Sequence, residues 1–147
     1  MRLCTQSRYG VRAVFDIAYH SGGLETQVKD ISRRQGISPR YLEQIFQRLK
    51  RAGIIGSKRG PGGGYFLSKR PRDITIGDIL RVTEISMDPV PCVGPKGSSQ
   101  QCDRADSCVS RLVWREANNR LRAYFDSLTV EELCRMAGEM GLRRLPT

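Results

Sequence analysis

The segment VKDISRRQGISPRYLEQIFQRLKRAG, residues 28–53, decides the fold of this 147-residue chain. Its first half places Val28, Ile31 and the stem of Arg34 at helical spacing, with the apolar groups on one side. Gly36 then interrupts the pattern, because glycine is a poor helix residue and a common helix terminator. The first half therefore predicts a short helix that ends in a turn.

The second half of the segment predicts a longer helix. Ser38 can cap it, and Pro39 suits the first helical position, where no backbone N–H is needed. Apolar residues then recur at spacings near 3.6 until Gly53 ends the helix: Tyr41, Leu42, Ile45, Phe46 and Leu49. A short helix, a glycine-containing turn and a longer helix together form a helix-turn-helix.

This arrangement predicts which side chains would meet DNA. The first residues of the second helix of a helix-turn-helix point into the major groove. We therefore expect three residues to read base edges: Arg40, Tyr41 and Gln44. The basic residues near the end of the same helix suit phosphates better: Arg48, Lys50 and Arg51.

The next stretch, IIGSKRGPGGGYFLS at residues 54–68, predicts a hairpin. Ile54 and Ile55 begin one strand, a Gly/Pro turn follows, and Tyr65, Phe66 and Leu67 return. The tip offers DNA two cations and a flexible backbone, as the wing of a winged helix does: Lys58, Arg59 and Gly60. A nucleotide-binding P-loop is disfavoured, because no Lys-Ser/Thr pair follows the glycines and a strand does.

The net charge of +10 is concentrated in this part of the chain. Residues 29–72 contain twelve Lys or Arg and two Asp or Glu, whereas the other 103 residues contain thirteen of each sign. The whole excess coincides with the helix-turn-helix and the hairpin, which favours a polyanion surface over an ordinary solvated face. Double-stranded DNA is the expected partner.

Length and composition bound the remaining choices. A chain of 147 residues with 39% hydrophobic content can bury one core and a small extension. No run of 18 apolar residues and no signal peptide is visible, so we expect a soluble cytoplasmic protein without a membrane partner. A single His and the lack of a Ser/His/Asp or paired-carboxylate constellation argue against an enzyme.

The remaining segments predict helices on both sides of a loop. The first helix ends at His20, which we expect to be a C-terminal cap. Its apolar face suits the core and consists of Tyr9, Val11, Val14, Phe15, Ala18 and Tyr19. Another helix follows Asp73 or Thr75 as its cap. After the Pro/Gly-rich residues 86–107, a helix resumes with more apolar surface than one neighbour needs, which predicts a dimer interface: Val109, Leu112, Val113, Trp114, Leu121, Tyr124 and Phe125. A short helix with Leu133 and Met136 comes last.

Three of the five cysteines fall in or beside this loop, at Cys92, Cys102 and Cys108. Their C-x9-C-x5-C spacing, among Pro, Gly, Lys, Gln and Asp, suits a segment that wraps one metal centre better than three unrelated thiols. An odd number of cysteines without a secretory signal also disfavours a disulfide framework. We expect Cys134 to belong to the core, whereas the role of Cys4 stays open.

Three stretches of the chain closely resemble one family of bacterial transcription factors, the iron–sulfur cluster regulator (IscR) family. They are MRLCTQSRYGVRAVFDIA at residues 1–18, GISPRYLEQIFQRLKRAGIIGSKRGPGGGYFLSKRP at 36–71 and ITIGDILRVTE at 74–84. This family also includes the nitric-oxide-sensing repressor NsrR and a cluster-free repressor of cysteine metabolism. The resemblance implies a homodimer whose long C-terminal helix crosses between subunits. In many members an iron–sulfur cluster near the interface tunes DNA binding, and its cysteines match Cys92, Cys102 and Cys108.

Two departures from the family pattern concern the ligands. The family cysteines are usually spaced near C-x5-C-x5-C, so the longer first spacing here predicts a looser first ligand. The family histidine three residues after the last cysteine is replaced by Arg111, and the carboxylate that the nitric-oxide sensor supplies from helix 1 aligns with Arg8. The cluster type is left open between 2Fe-2S and 4Fe-4S. The fourth ligand is left open between an exogenous group and three residues: Cys4 of the partner subunit, His20 and Glu116.

The sequence as a whole predicts a mainly α fold, a winged helix-turn-helix with a two-stranded β wing and a long C-terminal dimerisation helix. We expect a DNA-binding domain at 1–85, a cysteine-bearing loop at 86–108 and a dimerisation unit at 109–147. The expected function is a dimeric regulator of a palindromic operator that senses iron–sulfur status, redox stress or nitric oxide. The alternatives are a zinc or thiol–disulfide redox regulator, and a cluster-free regulator controlled by docking to a partner enzyme.

Overall fold

The computed structural model describes residues 3–84, 86–93, 102, 104 and 107–145. Within them it contains six α-helices and one two-stranded sheet: α1 Thr5–Ser21, α2 Val28–Gln35, α3 Pro39–Arg51, β1 Ile55–Lys58, β2 Gly64–Leu67, α4 Ile76–Thr83, α5 Val109–Ser127 and α6 Val130–Glu139. Two 3₁₀ turns lie at Pro71–Asp73 and Pro91–Val93. The predicted mainly helical fold with a two-stranded wing is confirmed.

The helix-turn-helix forms where the sequence predicts it. Helix α2 ends at Gly36, which adopts the left-handed backbone with a φ of 63°. The Ser38 hydroxyl then accepts a hydrogen bond from the Tyr41 N–H at 3.3 Å, and Pro39 begins α3. The opposite face of α3 is left for solvent, because one face is fully buried. The buried face consists of Leu42, Ile45, Phe46 and Leu49.

Helix α1 lies at the centre of the core. It packs against α2, α3, α4, β2 and α6, and Ala13, Val14 and Ile17 are fully buried. The sides of its predicted apolar face are only half-buried at Val11 and Phe15. The core is completed by branched side chains from the other elements, none more than 1% exposed: Ile31, Ile55, Ile74, Ile79, Leu80 and Val130.

A buried ion pair joins α1 to α2. Asp16 is fully buried, and Arg34 is 3% exposed with its Nη2 at 2.6 Å from Asp16 Oδ1. The Gln35 amide donates a further bond to Asp16 Oδ2 at 2.8 Å, and Arg12 donates to the Gln35 carbonyl and amide oxygens. Arg34 thus does not belong to the positive surface that its sequence neighbours form.

The wing is an antiparallel hairpin in which Ile55 pairs with Leu67 and Lys58 with Gly64. The first strand begins at Ile55, one residue later than expected, since Ile54 bonds back to the Leu49 carbonyl at the end of α3. Thr26, in the α1–α2 connection, extends the sheet through two backbone bonds with Tyr65, at 2.8 and 2.9 Å.

The C-terminal half returns to the first half at two places. Thr75 caps α4 in a reciprocal capping box with Asp78, so Thr75 rather than Asp73 is the cap. Residues 74–76 pair with 128–130 through the Ile76 N–H and the Val130 N–H, at 2.8 and 2.9 Å. Among the described residues, no helix combines the length and apolarity that crossing a bilayer requires.

Candidate DNA interface and cysteine site

The solvent face of α3 carries most of the residues predicted to bind DNA. Arg40, Gln44 and Arg48 are exposed, and spacings of four residues put them on one side of the helix. Gln47 is exposed on the same side, which the sequence analysis missed although its spacing from Gln44 shows it. Tyr41 is half-buried and meets Tyr9 edge-on at 5.7 Å, so part of its ring packs against the core.

Most of the basic excess lies on the surface. Of the twelve Lys and Arg in residues 29–72, only Arg34 is not exposed. The exposed cations that make no hydrogen bond or ion pair with any described residue include Arg40, Arg48, Arg51 and Arg59. These guanidinium groups are therefore available to phosphates or base edges.

Two of the residues predicted to contact phosphates also form bonds within the protein. Lys50, at the end of α3, donates from Nζ to the Ser57 hydroxyl on β1 at 2.6 Å. Lys58 pairs with Glu25, whose Oε1 lies 3.1 Å from Nζ. The pKa of Glu25 is lowered by its own backbone N–H and by Lys58. Both lysines remain exposed and keep spare donors.

The glycines of the wing serve two different purposes. Gly60 and Gly62 hold φ angles of 98° and 75°, the left-handed region that the turn needs. A Cβ on Gly63 would overlap the Lys58 carbonyl oxygen, and one on Gly64 would overlap the Thr26 carbonyl oxygen. These last two glycines are required by the close approach of the chain's own backbone.

The cysteine-bearing loop is anchored along α5. Asp88 accepts hydrogen bonds from Asn118 and Arg122, both at 2.9 Å, and Asn118 is the buried residue of α5. Arg111, two turns earlier, donates from Nε to the Cys92 carbonyl at 3.1 Å. The chain therefore runs from Asp88 to Cys92 toward the N-terminus of α5. The expected looseness of the first ligand came from the longer spacing between Cys92 and Cys102, where residues 94–101 lie outside the described residues.

Cys108 lies at the same end of α5, as the residue that precedes its first turn. Its Sγ is 3.1 Å from the Ser110 hydroxyl. The pKa of Cys108 is lowered by this hydrogen bond first, and by the backbone N–H groups of Ser110 and Arg111 and the charge of Arg111. A thiol that ionises readily suits a metal ligand, since the thiolate is the form that binds.

Cys102 is exposed, and the structure does not bring it together with the other two. Over the described parts of the chain, no three His, Cys, Asp or Glu side chains are gathered as a metal site. Residues 94–101, 103, 105 and 106 of the predicted loop lie outside the described residues. The thiol donors match the soft ligands that iron–sulfur clusters use. Cys92 and Cys108 share one end of α5.

The candidate fourth ligands lie in different places. Cys4 precedes α1, and its Sγ is 3.2 Å from Ser7 Oγ and 3.6 Å from the Thr83 carbonyl. His20 Nδ1 accepts from the Leu145 N–H at 2.9 Å, and its Nε2 faces Asp16. Glu116 is exposed and paired with Arg120 at 2.7 Å.

Helix α5 leaves a large apolar surface uncovered. Large apolar side chains along it are 42–77% exposed: Val109, Leu112, Val113, Trp114 and Tyr124. An apolar groove of about 370 Å³ between α1 and α6 is also open to solvent. The apolar residues that line it are Val11, Phe15, Leu133, Met136, Ala137, Met140 and Leu142. Cys134 packs against the core, and burial raises its pKa, as expected for a structural thiol.

Residues 3–136 match the model of the Rrf2 family, described as an iron-dependent transcriptional regulator. The chain is 40% identical to the HTH-type transcriptional regulator IscR of Pectobacterium carotovorum over 133 residues, which cover 90% of this chain and 79% of that protein. It is equally similar to IscR of Escherichia coli O1:K1, of which it covers 80%.

Solved structures give the same picture. The structure of IscR from T. potens has a TM-score of 0.78 and 35% identity, over 99% of this chain and 94% of that one. The structure of CymR, the global cysteine regulator of B. subtilis, has a TM-score of 0.77 and 32% identity, over 92% and 98%. The fold, the exposed basic helix-turn-helix and these relatives agree. The chain belongs to the Rrf2 family and is a DNA-binding transcriptional regulator of the IscR type rather than an enzyme.

Proposed function

We propose that this regulator acts as a homodimer on a palindromic operator, and that its operator affinity depends on an iron–sulfur cluster held by Cys92, Cys102 and Cys108. The observation that carries the proposal is the convergence of Cys92 and Cys108 on one end of α5. The same helix exposes the apolar face that a dimer would cover. A ligand at this end of α5 would therefore lie beside the subunit interface.

On the DNA side, we assign base contacts to Arg40, Tyr41 and Gln44 and phosphate contacts to the surrounding cations. The exposure of Arg40 and Gln44 at the start of α3 supports this, since that end of a recognition helix reads the major groove. The remaining assigned contacts lie at the end of α3 and on the wing: Arg48, Lys50, Lys58, Arg59 and Gly60. Each phosphate contact adds about one counterion to the salt dependence of binding.

A dimer explains two apolar surfaces together. The exposed apolar residues of α5 and the apolar groove between α1 and α6 are both open to solvent, and a second copy would cover such surfaces. A two-fold axis would then place two α3 helices on a symmetric DNA site, which is the reason for expecting a palindrome.

The units of the protein follow from these roles. Residues 1–85 bind DNA, 86–108 hold the cysteine site, and 109–147 supply the dimer contacts. The anchoring of Asp88 and Cys92 on α5 couples the second unit to the third. We expect the protein to work in the cytoplasm, where its DNA partner is.

The cluster assignment is supported by donor chemistry. Three cysteines supply soft thiolate ligands, and the Cys108 pKa is already lowered by its surroundings. The description of the family as iron-dependent agrees with this. A bound iron–sulfur cluster supplies oxidation-sensitive chemistry, which suits a sensor of iron–sulfur status, redox stress or nitric oxide. Couplings between two sites typically change affinity by about 5- to 150-fold.

Anaerobic purification tests the ligand assignment. We expect a brown protein that contains iron and sulfide, with the visible absorption lost in Cys92→Ala, Cys102→Ala and Cys108→Ala. Cys134→Ala is the matched control, because this thiol packs against the core, and it should keep the colour. Normal colour in the three loop variants would refute the assignment. A colourless wild-type protein that responds reversibly to peroxide would favour a thiol switch, for which the lowered Cys108 pKa is the supporting observation.

Operator binding tests the coupling. A duplex selected by the wild-type protein from random-sequence DNA serves as the probe, with anaerobic titrations of cluster-loaded and cluster-free protein at one salt concentration. The proposal requires different affinities for the two forms, so equal values would overturn it. Light scattering on the same samples tests the homodimer, which a monomer mass would contradict.

A further inference from the structure

The wing is too small to hold its own position. Each strand has four residues, and an isolated two-stranded hairpin is marginally stable in water. Its base is fixed, because Ile55 and Leu67 are buried and Tyr65 pairs with Thr26. Ser57 lies opposite Tyr65 and Lys58 one residue closer to the tip, and their side chains bond β1 to the rest of the protein.

The first of these contacts joins the wing to the recognition helix. Lys50 lies in the last turn of α3, and its ammonium group donates to the Ser57 hydroxyl at 2.6 Å. Because a charged donor makes a stronger hydrogen bond than a neutral one, this bond can fix the spacing between α3 and β1.

The second contact joins the wing to the connection between α1 and α2. Lys58 pairs with Glu25 at 3.1 Å, one residue before Thr26, whose backbone already bonds β2. Successive residues of a strand point to opposite faces, so Ser57 and Lys58 are held from the two sides of the hairpin. Arg59, the exposed cation of the wing tip, follows Lys58 directly.

We propose that Ser57 and Glu25 are positioning residues for DNA binding, which fix the wing through Lys50 and Lys58 so that Arg59 reaches the operator. Neither residue needs to touch DNA. Lys50 and Lys58 then act first as struts within the protein, and only secondarily as phosphate contacts. The inference rests on the proposed contact between the wing and DNA.

Glu25→Gln separates positioning from simple electrostatics, because the two predict opposite signs. Removing a carboxylate close to DNA would strengthen binding if charge alone mattered. Loss of the strut should instead weaken binding to the selected duplex by about threefold to tenfold. Ser57→Ala changes no charge and should weaken binding similarly. The matched controls are Glu139→Gln on α6 and Ser68→Ala just after β2, both exposed, and neither should change the affinity.

Double variants then ask whether the struts act through Arg59. Arg59→Ala alone should weaken binding and lower the salt dependence by about one ion. In the Ser57→Ala or Glu25→Gln background, the same substitution should cost at least threefold less. Lys50→Met with Ser57→Ala should be no worse than Lys50→Met alone, because the two changes remove the same hydrogen bond and only Lys50→Met also removes a phosphate contact. Circular dichroism and thermal unfolding confirm that each variant folds.

The outcomes separate the two levels of the argument. If Arg59→Ala leaves binding unchanged, the wing contact itself is wrong and the inference fails with it. If Arg59→Ala weakens binding but Glu25→Gln strengthens it, or Ser57→Ala has no effect, only the positioning role is refuted. Full additivity of Arg59→Ala with Ser57→Ala would also refute it.

Discussion

Replacing Asp16 by Asn should destabilise the protein far more than the same change at an exposed carboxylate. Asp16 is fully buried and accepts hydrogen bonds from Arg34 Nε, Arg34 Nη2 and the Gln35 amide, at 2.6–3.1 Å. Asn keeps the size of Asp but leaves the Arg34 charge, 3% exposed, without a counterion. Removing one partner of a buried ion pair costs about 3–5 kcal/mol.

This cost is large compared with the whole stability of a domain, about 5–15 kcal/mol. For a chain of this length, each kcal/mol shifts the Tm by about 2–4 °C, so we expect a fall of roughly 6–20 °C. Thermal and guanidinium unfolding followed by circular dichroism would measure it. Glu139→Gln is the control, because the Glu139–Arg135 pair is 62% and 57% exposed and such pairs contribute about 1 kcal/mol or less.

A double variant checks the explanation. Asp16→Leu with Arg34→Met removes both charges and fills the site with apolar side chains, which is often neutral for a buried pair. It should therefore be clearly more stable than Asp16→Asn. A loss in Asp16→Asn no larger than in the Glu139 control would refute the reasoning, and so would a double variant as unstable as Asp16→Asn.

Two further predictions concern other parts of the molecule. Burial lowers the pKa of His20 below 6.5, so the unfolded chain takes up a proton first. The contribution of His20 to the free energy of unfolding should be fully retained above about pH 6.5 and should fall as the pH drops through the folded pKa. Denaturant titrations between pH 5 and 8 would measure this pH dependence. The His20→Gln variant should lack it. Gly64→Ala should destabilise the protein by about 1–3 kcal/mol through overlap with Thr26, whereas Gly138→Ala, with open space around its Cβ position, should stabilise it by about 0.5–1 kcal/mol. Equal melting temperatures for these two glycine variants would contradict the packing argument.

The helix-turn-helix and the wing were predictable because local rules fix them. The ends of these helices are marked by local signals, namely Gly36, Ser38 and Pro39. The apolar residues of α3 are spaced so that only one face of the helix can turn toward the core. The fold class therefore follows from short-range patterns. The exposed face of α3, with Arg40 and Gln44, follows as the complement of the buried one.

Long-range polar pairing was not predictable in the same way. Nothing in the spacing of Asp16 and Arg34 shows that they meet, since the contact depends on how α2 packs on α1. The same holds for Asp88 with Asn118, 30 residues apart, which anchors the cysteine-bearing loop. A charge count also cannot tell a cation at the surface from one held inside, which is why Arg34 was counted with the DNA-binding surface.

The two glycines at the end of the wing limit how this protein could be redirected to new DNA sequences. Because any side chain at Gly63 or Gly64 would overlap backbone carbonyl oxygens, a library randomised there would consist mostly of hairpins that cannot close. Randomisation of the exposed α3 positions avoids this problem, because they carry no such packing duty: Arg40, Gln44, Gln47 and Arg48. Over evolutionary time, the same constraint would make operator preference change through the helix while the wing sequence stays nearly constant.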